Sequence, residues 1–242
     1  MTILITCEHA ENRVPELAET CFAAPAAEAA LQGPWAADWG ALTAARVLAS
    51  TLNCPLISYP FSRLVVDVNR SLRSPRLFSS YTKKLAAEPR RQLLDRYYHP
   101  YRQRLEQVSR RMLDQERFLL HIAVHSFPCF RQGKPKRADA GLLYDPACEP
   151  ERSFCLDWAE EIYYEIPCLR IRRNYPGRGT ADRLTRSLRH RLNSPRYLGI
   201  ELQLNQAWAA RPVAIRDQTF QRLAESLRAI IEHSLPQHAE AA

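Results

Sequence analysis

The feature of this sequence that most restricts its fold is the alternation of short apolar runs with longer amphipathic stretches. The runs are too short for ordinary helices and several are rich in β-branched residues, so each predicts a strand. They lie at 3–6, 55–59, 64–68, 118–125, 168–171 and 197–204. Apolar residues recur at helical spacing in the stretches at 35–52, 88–116, 151–166, 181–192 and 213–234.

Strands separated by helices predict an α/β fold with a mainly parallel sheet and helices on both of its faces. The chain has 242 residues, of which 46% are hydrophobic, so it can bury a sizeable core within one domain. We therefore expect a single catalytic domain over 1–235 and a frayed tail at 236–242.

The chain carries a formal net charge of +8 at pH 7, which would suit a nucleic-acid partner. Its Arg and Lys residues are dispersed along the predicted helices, however, and no nucleic-acid-binding motif accompanies them. We expect solvated helix faces and no nucleic-acid partner.

The seven cysteines include no CxxC pair and no zinc-finger spacing. Their number is odd and no signal peptide precedes Met1, so we expect reduced thiols and a cytoplasmic location. No apolar run approaches the roughly 20 residues that a membrane span requires. These features predict a protein without membrane association, and they leave its oligomeric state open.

Polar and titratable residues stand where four of the apolar runs end or are interrupted. In open α/β sheets, ligands bind beyond the carboxyl ends of the strands, so these residues are expected to meet at one edge of the sheet. They are Glu8-His9, Asp67 with Asn69-Arg70, His125-Ser126, and Glu201 within YLGIELQL.

This combination of residue types is typical of a metal site. Imidazole and carboxylate are ligands that Zn²⁺ favours, and a catalytic zinc ion usually has three protein ligands and a water. The pKa of that water falls to about 7, so a nearby glutamate can take its proton. An arginine beside the site would hold a substrate carboxylate.

Each of these residues also has a simpler interpretation. A lone histidine at a strand end is more often a hydrogen-bonded structural residue, and Asp67 could cap a turn while Arg70 lies on the surface. Glu201 is harder to dismiss, because an unpaired carboxylate inside a buried run is costly.

Other catalytic schemes lack their sequence signatures. Ser126 lies in no GxSxG motif. Cys7 and His9, two positions apart on a strand, have no reason to form a catalytic pair. The chain contains no GxGxxG or GxxxxGK[ST] motif for a nucleotide.

Seven segments, in order and spanning nearly the whole chain, resemble the motifs of the N-formylglutamate amidohydrolase family. The resemblance implies a mixed central sheet similar to that of zinc carboxypeptidases and aspartoacylase-like hydrolases. It also implies Zn²⁺ or another divalent metal ion and hydrolysis of an N-formyl or N-acyl amide on an acidic amino acid, a small-molecule substrate. The segments are ITCEHAENRVP (5–15), AADWGA (36–41), SRLVVDVNRS (62–71), IAVHSFPC (122–129), GLLYDP (141–146), LRIRRNYPGRGTAD (169–182) and YLGIELQLNQ (197–206).

Carried over residue by residue, the resemblance implies that His9 and His125 are metal ligands. By analogy with the carboxypeptidases, Glu201 is expected to be the general base, and Asn69-Arg70 is expected to bind the substrate carboxylate.

The third metal ligand does not carry over from the carboxypeptidases, because they place a glutamate at the position of Asn12. We choose Asp38, with Glu11 and Asp67 as rivals. Arg63 and Arg178, with Arg173 as a further candidate, are expected to join Arg70 in binding the carboxylates of an N-formylglutamate-like substrate.

The chain departs from the family pattern at three positions. Glu11 and Gly177 stand where family members commonly carry a small and an aromatic residue, and Arg183 replaces a glycine. These changes leave the substrate less defined than the reaction. Two alternatives stay open: a metal-dependent peptidase or amidase on another small peptide, and a metal-free basic binding protein on the same fold.

Overall fold

The structure is a computed structural model, and it describes residues 1–131 and 133–234. The predicted tail at 236–242 lies outside the described residues. The strands are β1 (Thr2–Cys7), β2 (Leu56–Ser58), β3 (Leu119–Phe127), β4 (Phe130–Arg131), β5 (Lys134–Pro135), β6 (Ala140–Leu143), β7 (Ile171–Arg173) and β8 (Tyr197–Asn205).

Within the described residues, six strands form a central sheet in the order β2-β1-β3-β8-β6-β7. All neighbouring pairs are parallel except β6 and β8, which run antiparallel. The expected mostly parallel, mixed α/β sheet is therefore confirmed. The strands β4 and β5 form a separate small hairpin.

Helices cover both faces of this sheet. Leu48, Trp158 and Leu227 belong to one buried apolar cluster, and Leu105 and Leu188 belong to a second. None of the helices in the described ranges has the length and apolar character needed to cross a bilayer. The helices are α1 (Pro25–Leu31), α2 (Ala41–Thr51), α3 (Ala87–Leu93), α4 (His99–Gln115), α5 (Glu149–Glu165), α6 (Leu184–Leu192) and α7 (Val213–Ser234).

The prediction of a strand at 64–68 was wrong. This segment is irregular, and its valines are buried in the second cluster. The backbone N–H of Asp67 donates to Leu77 O at 2.8 Å, and the Thr82 hydroxyl donates to Val65 O at 2.8 Å. Tertiary contacts thus satisfy a backbone that its β-branched residues would otherwise favour as a strand.

The expected helices at 35–52 and 88–116 also differ in detail. Gly40 has φ = 84°, a left-handed conformation that glycine adopts readily, and α2 begins only after it. The second stretch contains α3, five π-helical residues (Leu94–Tyr98) and α4. Pro100 does not interrupt this path, because it lies in the first turn of α4, where its missing N–H costs little.

The sheet face that α4 and α6 cover carries several buried polar groups. Side chains alternate between the faces of a strand, and in β3 and β8 this places His121 with His125 and Glu201 with Gln203. His121 is structural: its Nε2 lies 2.8 Å from the Thr6 hydroxyl and its Nδ1 lies 2.7 Å from the hydroxyl of Tyr197. Burial lowers the pKa of His121 to about 4, which keeps the ring neutral.

Candidate metal centre and catalytic cavity

A cavity of about 490 Å³ lies at the carboxyl ends of the central strands. His9 follows β1, while Ser126 and Gln203 lie near the ends of β3 and β8, and all three line it. Its wall is rich in cationic side chains: Arg63, Arg70, Arg76, Lys136 and Arg183.

His9, Asp38 and His125 meet in the wall of this cavity. The Nδ1 atoms of His9 and His125 lie 3.2 and 2.8 Å from the same atom, Oδ2 of Asp38. One ligand atom from each of the three residues falls within 4.8 Å of the others, and all three residues are buried. The structure therefore brings together the three residues chosen from the sequence as metal ligands.

The outer nitrogen atoms of both imidazoles face carboxylates. Nε2 of His9 lies 2.7 Å from Oδ1 of Asp67, and Nε2 of His125 lies 3.1 Å from Oε2 of Glu8. A carboxylate on the outer nitrogen fixes a ligating histidine's tautomer and ring orientation, and makes it more basic. Asp67, a rival for the third ligand, takes this supporting position.

Local backbone structure places Asp38 opposite the histidines. The Asp38 N–H donates to His9 O at 2.8 Å, and Asp38 O accepts from the Ala41 N–H at 2.9 Å. Gly40 makes the turn between Asp38 and α2, and a Cβ atom there would lie 2.9 Å from the Cβ of Ala209. The AADWGA segment is therefore a turn that carries Asp38.

Opposite charges dominate the electrostatics of the cluster. Burial alone would lower the pKa of His125, but its hydrogen bond to Asp38 and the nearby charges of Asp38 and Glu8 outweigh burial and raise this pKa to about 10. Burial would likewise raise the pKa of Glu8, but His125 lowers it to about 2. Burial also opposes ionisation of Asp38, yet Arg63 and the histidines hold its pKa well below the usual value. Without a metal ion, His125 is cationic at neutral pH and both acids are ionised.

Glu201 is fully buried in β8 and lies two residues before Gln203, on the same face of the strand. Its Oε2 accepts hydrogen bonds from Arg183 Nη1 at 3.0 Å and Gln203 Nε2 at 3.1 Å, and its Oε1 accepts one from the Thr185 hydroxyl at 3.0 Å. Arg183 and Gln203 line the cavity, whereas Glu201 does not. A shell of side chains separates this carboxylate from the cavity.

The cavity wall includes Asn69, Arg70 and Arg63, and the polar atoms of these three side chains also contact other residues of the chain. Nδ2 of Asn69 lies 3.3 Å from Nε2 of His125. Arg70 Nη1 donates to Asp182 O at 2.6 Å, and Arg63 Nη1 lies 3.1 Å from Oδ1 of Asp38. Arg63 thus supports the proposed ligand Asp38 as well as facing the cavity.

Three predicted candidates are not brought to this cluster. Arg178 and Arg173 are exposed, Glu11 is half-buried, and none of them lines the cavity. Nothing in the structure explains the acid at position 11.

Four residues around the site were given no role by sequence reasoning, although it placed Glu8 at this edge of the sheet: Glu8, Arg183, Thr185 and Gln203. A signal for Gln203 exists, because it lies two positions after Glu201 in the same strand and must share its face. Glu8 directly follows β1 and stands out in the sequence as clearly as His9, but its partner His125 lies on β3. Only the pairing of the two strands brings these residues together.

The residues present fit a divalent metal ion. Two neutral imidazoles and one carboxylate are a common catalytic zinc donor set, with a position left for water. The supporting carboxylates Glu8 and Asp67 complete the pattern expected around histidine ligands.

Comparisons with known proteins agree with this architecture. A gene product of Agrobacterium tumefaciens superposes with a TM-score of 0.72 at 22% identity, covering 95% of this chain and 91% of that one. N-formylglutamate amidohydrolase from Ralstonia eutropha gives 0.71 at 17% identity, covering 96% and 93%. A search of curated proteins found no match.

At these identities the two structures bear on the fold. The family follows from a different comparison, in which the model of N-formylglutamate amidohydrolase matches residues 1–210. The motifs that carry the sequence resemblance lie within this range. The chain therefore belongs to the N-formylglutamate amidohydrolase family, and it is a hydrolase of a non-peptide amide bond.

Proposed function

We propose that this amidohydrolase is metal-dependent and that it releases the acyl group of an N-formyl or N-acyl acidic amino acid, with N-formylglutamate as the leading substrate. The observation that carries the proposal is the convergence of His9 and His125 on Asp38, with a carboxylate behind each imidazole. Structural histidines alone would not require this double support.

His9, Asp38 and His125 would hold the metal ion. Bound there, a divalent ion supplies Lewis acidity, which polarises the amide carbonyl and makes a water molecule acidic at neutral pH. Glu8 and Asp67 hold the two imidazoles in position, and Arg63 holds Asp38.

Glu201 is the proposed general base. It accepts a proton from the attacking water, and the water oxygen forms a bond to the acyl carbon. Glu201 then gives the proton to the nitrogen as the C–N bond breaks, so that one amide and one water become one acid and one amine. Once the substrate and the water are bound beside these groups, the chemical step is effectively unimolecular.

The charge of the cavity supports an anionic substrate. Arg63, Arg70, Arg76 and Arg183 line it together with one acid, Asp38. Guanidinium groups bind carboxylates in a bidentate fork, and N-formylglutamate carries two carboxylates. A basic cavity of this volume also suits a small amino-acid derivative.

The reaction can be tested with a panel of N-acyl amino acids. Metal-loaded enzyme is expected to hydrolyse N-formyl-L-glutamate faster than N-formyl-L-leucine, which lacks the second carboxylate. The measurement is release of free amine and formate. Failure to hydrolyse any member of the panel would contradict the proposal.

Metal binding is expected to release about one proton from His125 between pH 7 and 9, since its imidazole must lose a proton to ligate a metal ion. The apparent affinity should rise about tenfold per pH unit in this range. Calorimetry of Zn²⁺ binding in buffers of different ionisation enthalpy measures the proton. An observed heat that does not depend on the buffer would contradict the prediction.

The same pKa shift stabilises the metal-free fold. Because the folded pKa of His125 is raised from 6.5 to about 10, this contribution to stability is complete below pH 6.5 and is lost as the pH rises through 10.

The seven cysteines are unpaired thiols, which supports a reducing compartment such as the cytoplasm as the proposed location.

A further inference from the structure

Arg183 occupies a position between the proposed base and the cavity. Its guanidinium lies 3.0 Å from Glu201, and its side chain is 16% exposed while that of Glu201 is 0% exposed. Arg183 lines the cavity and Glu201 does not. A base in this arrangement cannot reach a water molecule in the cavity without movement of the surrounding side chains.

The contacts of Arg183 are only partly satisfied. Its Nε atom is buried and has no hydrogen-bond partner in the described part of the chain. An unpaired buried donor is costly, so the ligand-free position of this guanidinium leaves hydrogen-bonding capacity that an added carboxylate can use.

Glu201 keeps two donors if Arg183 moves. The Thr185 hydroxyl and the Gln203 amide remain at 3.0 and 3.1 Å. Loss of the ion pair therefore leaves the carboxylate hydrogen-bonded and held in place, which a general base requires.

Gly177 leaves room for the Arg183 guanidinium. A Cβ atom built on Gly177 would lie 3.0 Å from Nη2 of Arg183, closer than carbon and nitrogen normally approach. The backbone at Gly177 and the side chain of Arg183 are thus fitted to each other.

We propose that Arg183 is a substrate-operated gate, which shields Glu201 in the ligand-free enzyme and turns to bind a substrate carboxylate, thereby exposing Glu201 to the cavity. The incoming carboxylate replaces that of Glu201 as the guanidinium's partner and also satisfies Nε. The gate makes turnover depend on a correctly placed carboxylate. An analogue that lacks this carboxylate is rejected because the base stays covered.

This inference rests on the proposed function, and the experiment separates the two. The rates of wild type, Arg183→Ala and Arg186→Ala are measured with N-formyl-L-glutamate and with two analogues in which one of its two carboxylates is neutralised as an amide. N-formyl-L-glutamine lacks the γ-carboxylate, and the α-amide of N-formylglutamate lacks the α-carboxylate. Arg186 is an exposed arginine on α6, the helix that Arg183 directly precedes, and it does not line the cavity. Its removal is therefore the matched control for charge.

The expected result has two parts. Arg183→Ala lowers kcat/KM for N-formyl-L-glutamate by about 10- to 100-fold, because a charge-assisted hydrogen bond is lost. It also raises kcat for at least one neutralised analogue above the wild-type value, since Glu201 is no longer covered. If Arg183 only bound the carboxylate, its removal would lower kcat/KM for N-formyl-L-glutamate and would not raise kcat for either neutralised analogue.

A second variant and a binding measurement keep the test informative if Arg183→Ala folds poorly. Gly177→Ala places a Cβ atom 3.0 Å from Nη2 of Arg183, so the guanidinium must shift by a few tenths of an ångström. This shift weakens its contact with Glu201 and should raise the rate with the same neutralised analogue. By calorimetry, glutarate binding to the metal-free protein should weaken about tenfold in Arg183→Ala, and Arg186→Ala should match wild type.

The proposed function fails if metal-loaded wild type hydrolyses none of the three compounds. If wild type is active, and neither Arg183→Ala nor Gly177→Ala raises the rate with a neutralised analogue, the gate alone is overturned. Unchanged glutarate binding in Arg183→Ala would also overturn it.

Discussion

Replacement of Glu201 by Gln is expected to lower kcat for N-formyl-L-glutamate by about 10²- to 10⁴-fold, the usual contribution of a general base. Glutamine keeps the shape and can hydrogen-bond to its neighbours, but it cannot take a proton from water. Because Arg183 reaches the cavity, it can turn toward solvent when its partner loses its charge. Because Glu201 is not one of the three proposed metal ligands, the metal content is expected to stay at the wild-type level. Steady-state kinetics together with metal analysis measures both quantities.

Glu151 provides the matched control for this variant. It is also a fully buried glutamate paired with an arginine, with Oε1 2.6 Å from Nε of Arg189, but it does not line the cavity. Glu151→Gln should lower thermal stability and leave kcat per folded molecule near the wild-type value. Equal losses of kcat in the two variants, or no loss in Glu201→Gln, would contradict the assignment of Glu201.

Replacement of His125 by Ala is expected to abolish tight metal binding and to destabilise the metal-free protein by about 3–5 kcal/mol, since it leaves the buried charge of Glu8 without its cationic partner. The Tyr101 hydroxyl, which donates to Glu8 Oε1 at 3.1 Å, is neutral and does not replace that charge. Denaturant unfolding measures the stability, and calorimetry with Zn²⁺ measures the binding.

The double variant His125→Ala/Glu8→Gln separates these two effects. Removing the carboxylate charge should recover most of the lost stability, because no unpaired buried charge remains. Metal binding should stay lost, because the ligand is still absent. If the double variant is no more stable than His125→Ala, the ion pair between Glu8 and His125 is not the source of the destabilisation.

The fold could be predicted from the sequence for a physical reason, whereas the family was indicated by the resemblance of seven segments to its motifs. Buried parallel strands are continuous apolar runs, and β1, β3 and β8 are of this kind, so a break such as Glu8-His9 or His125 marks the edge of the sheet. Neighbouring parallel strands then bring those breaks together. The 64–68 segment shows the limit of this argument, because its valines are buried by loop contacts rather than by strand pairing.

The partners of the site residues could not be predicted in the same way. That Glu8 faces His125 depends on the register of β1 and β3, and that Asp67 faces His9 depends on an irregular segment. Arg183 reaches Glu201 from the residue just before α6, a placement that no spacing in the sequence indicates. Arg178 was proposed from the same loop, but its side chain is exposed.

The central claim is that His9, Asp38 and His125 hold a metal ion on which amide hydrolysis depends. Its most direct test is a titration of chelator-treated enzyme with Zn²⁺, in which bound metal and hydrolysis of N-formyl-L-glutamate are measured in the same samples. We predict that activity is absent at the start, rises in proportion to bound metal, and saturates at about one ion per chain, as a single three-ligand site requires. Full activity in the metal-free enzyme, or saturable binding that leaves hydrolysis unchanged, would contradict this claim.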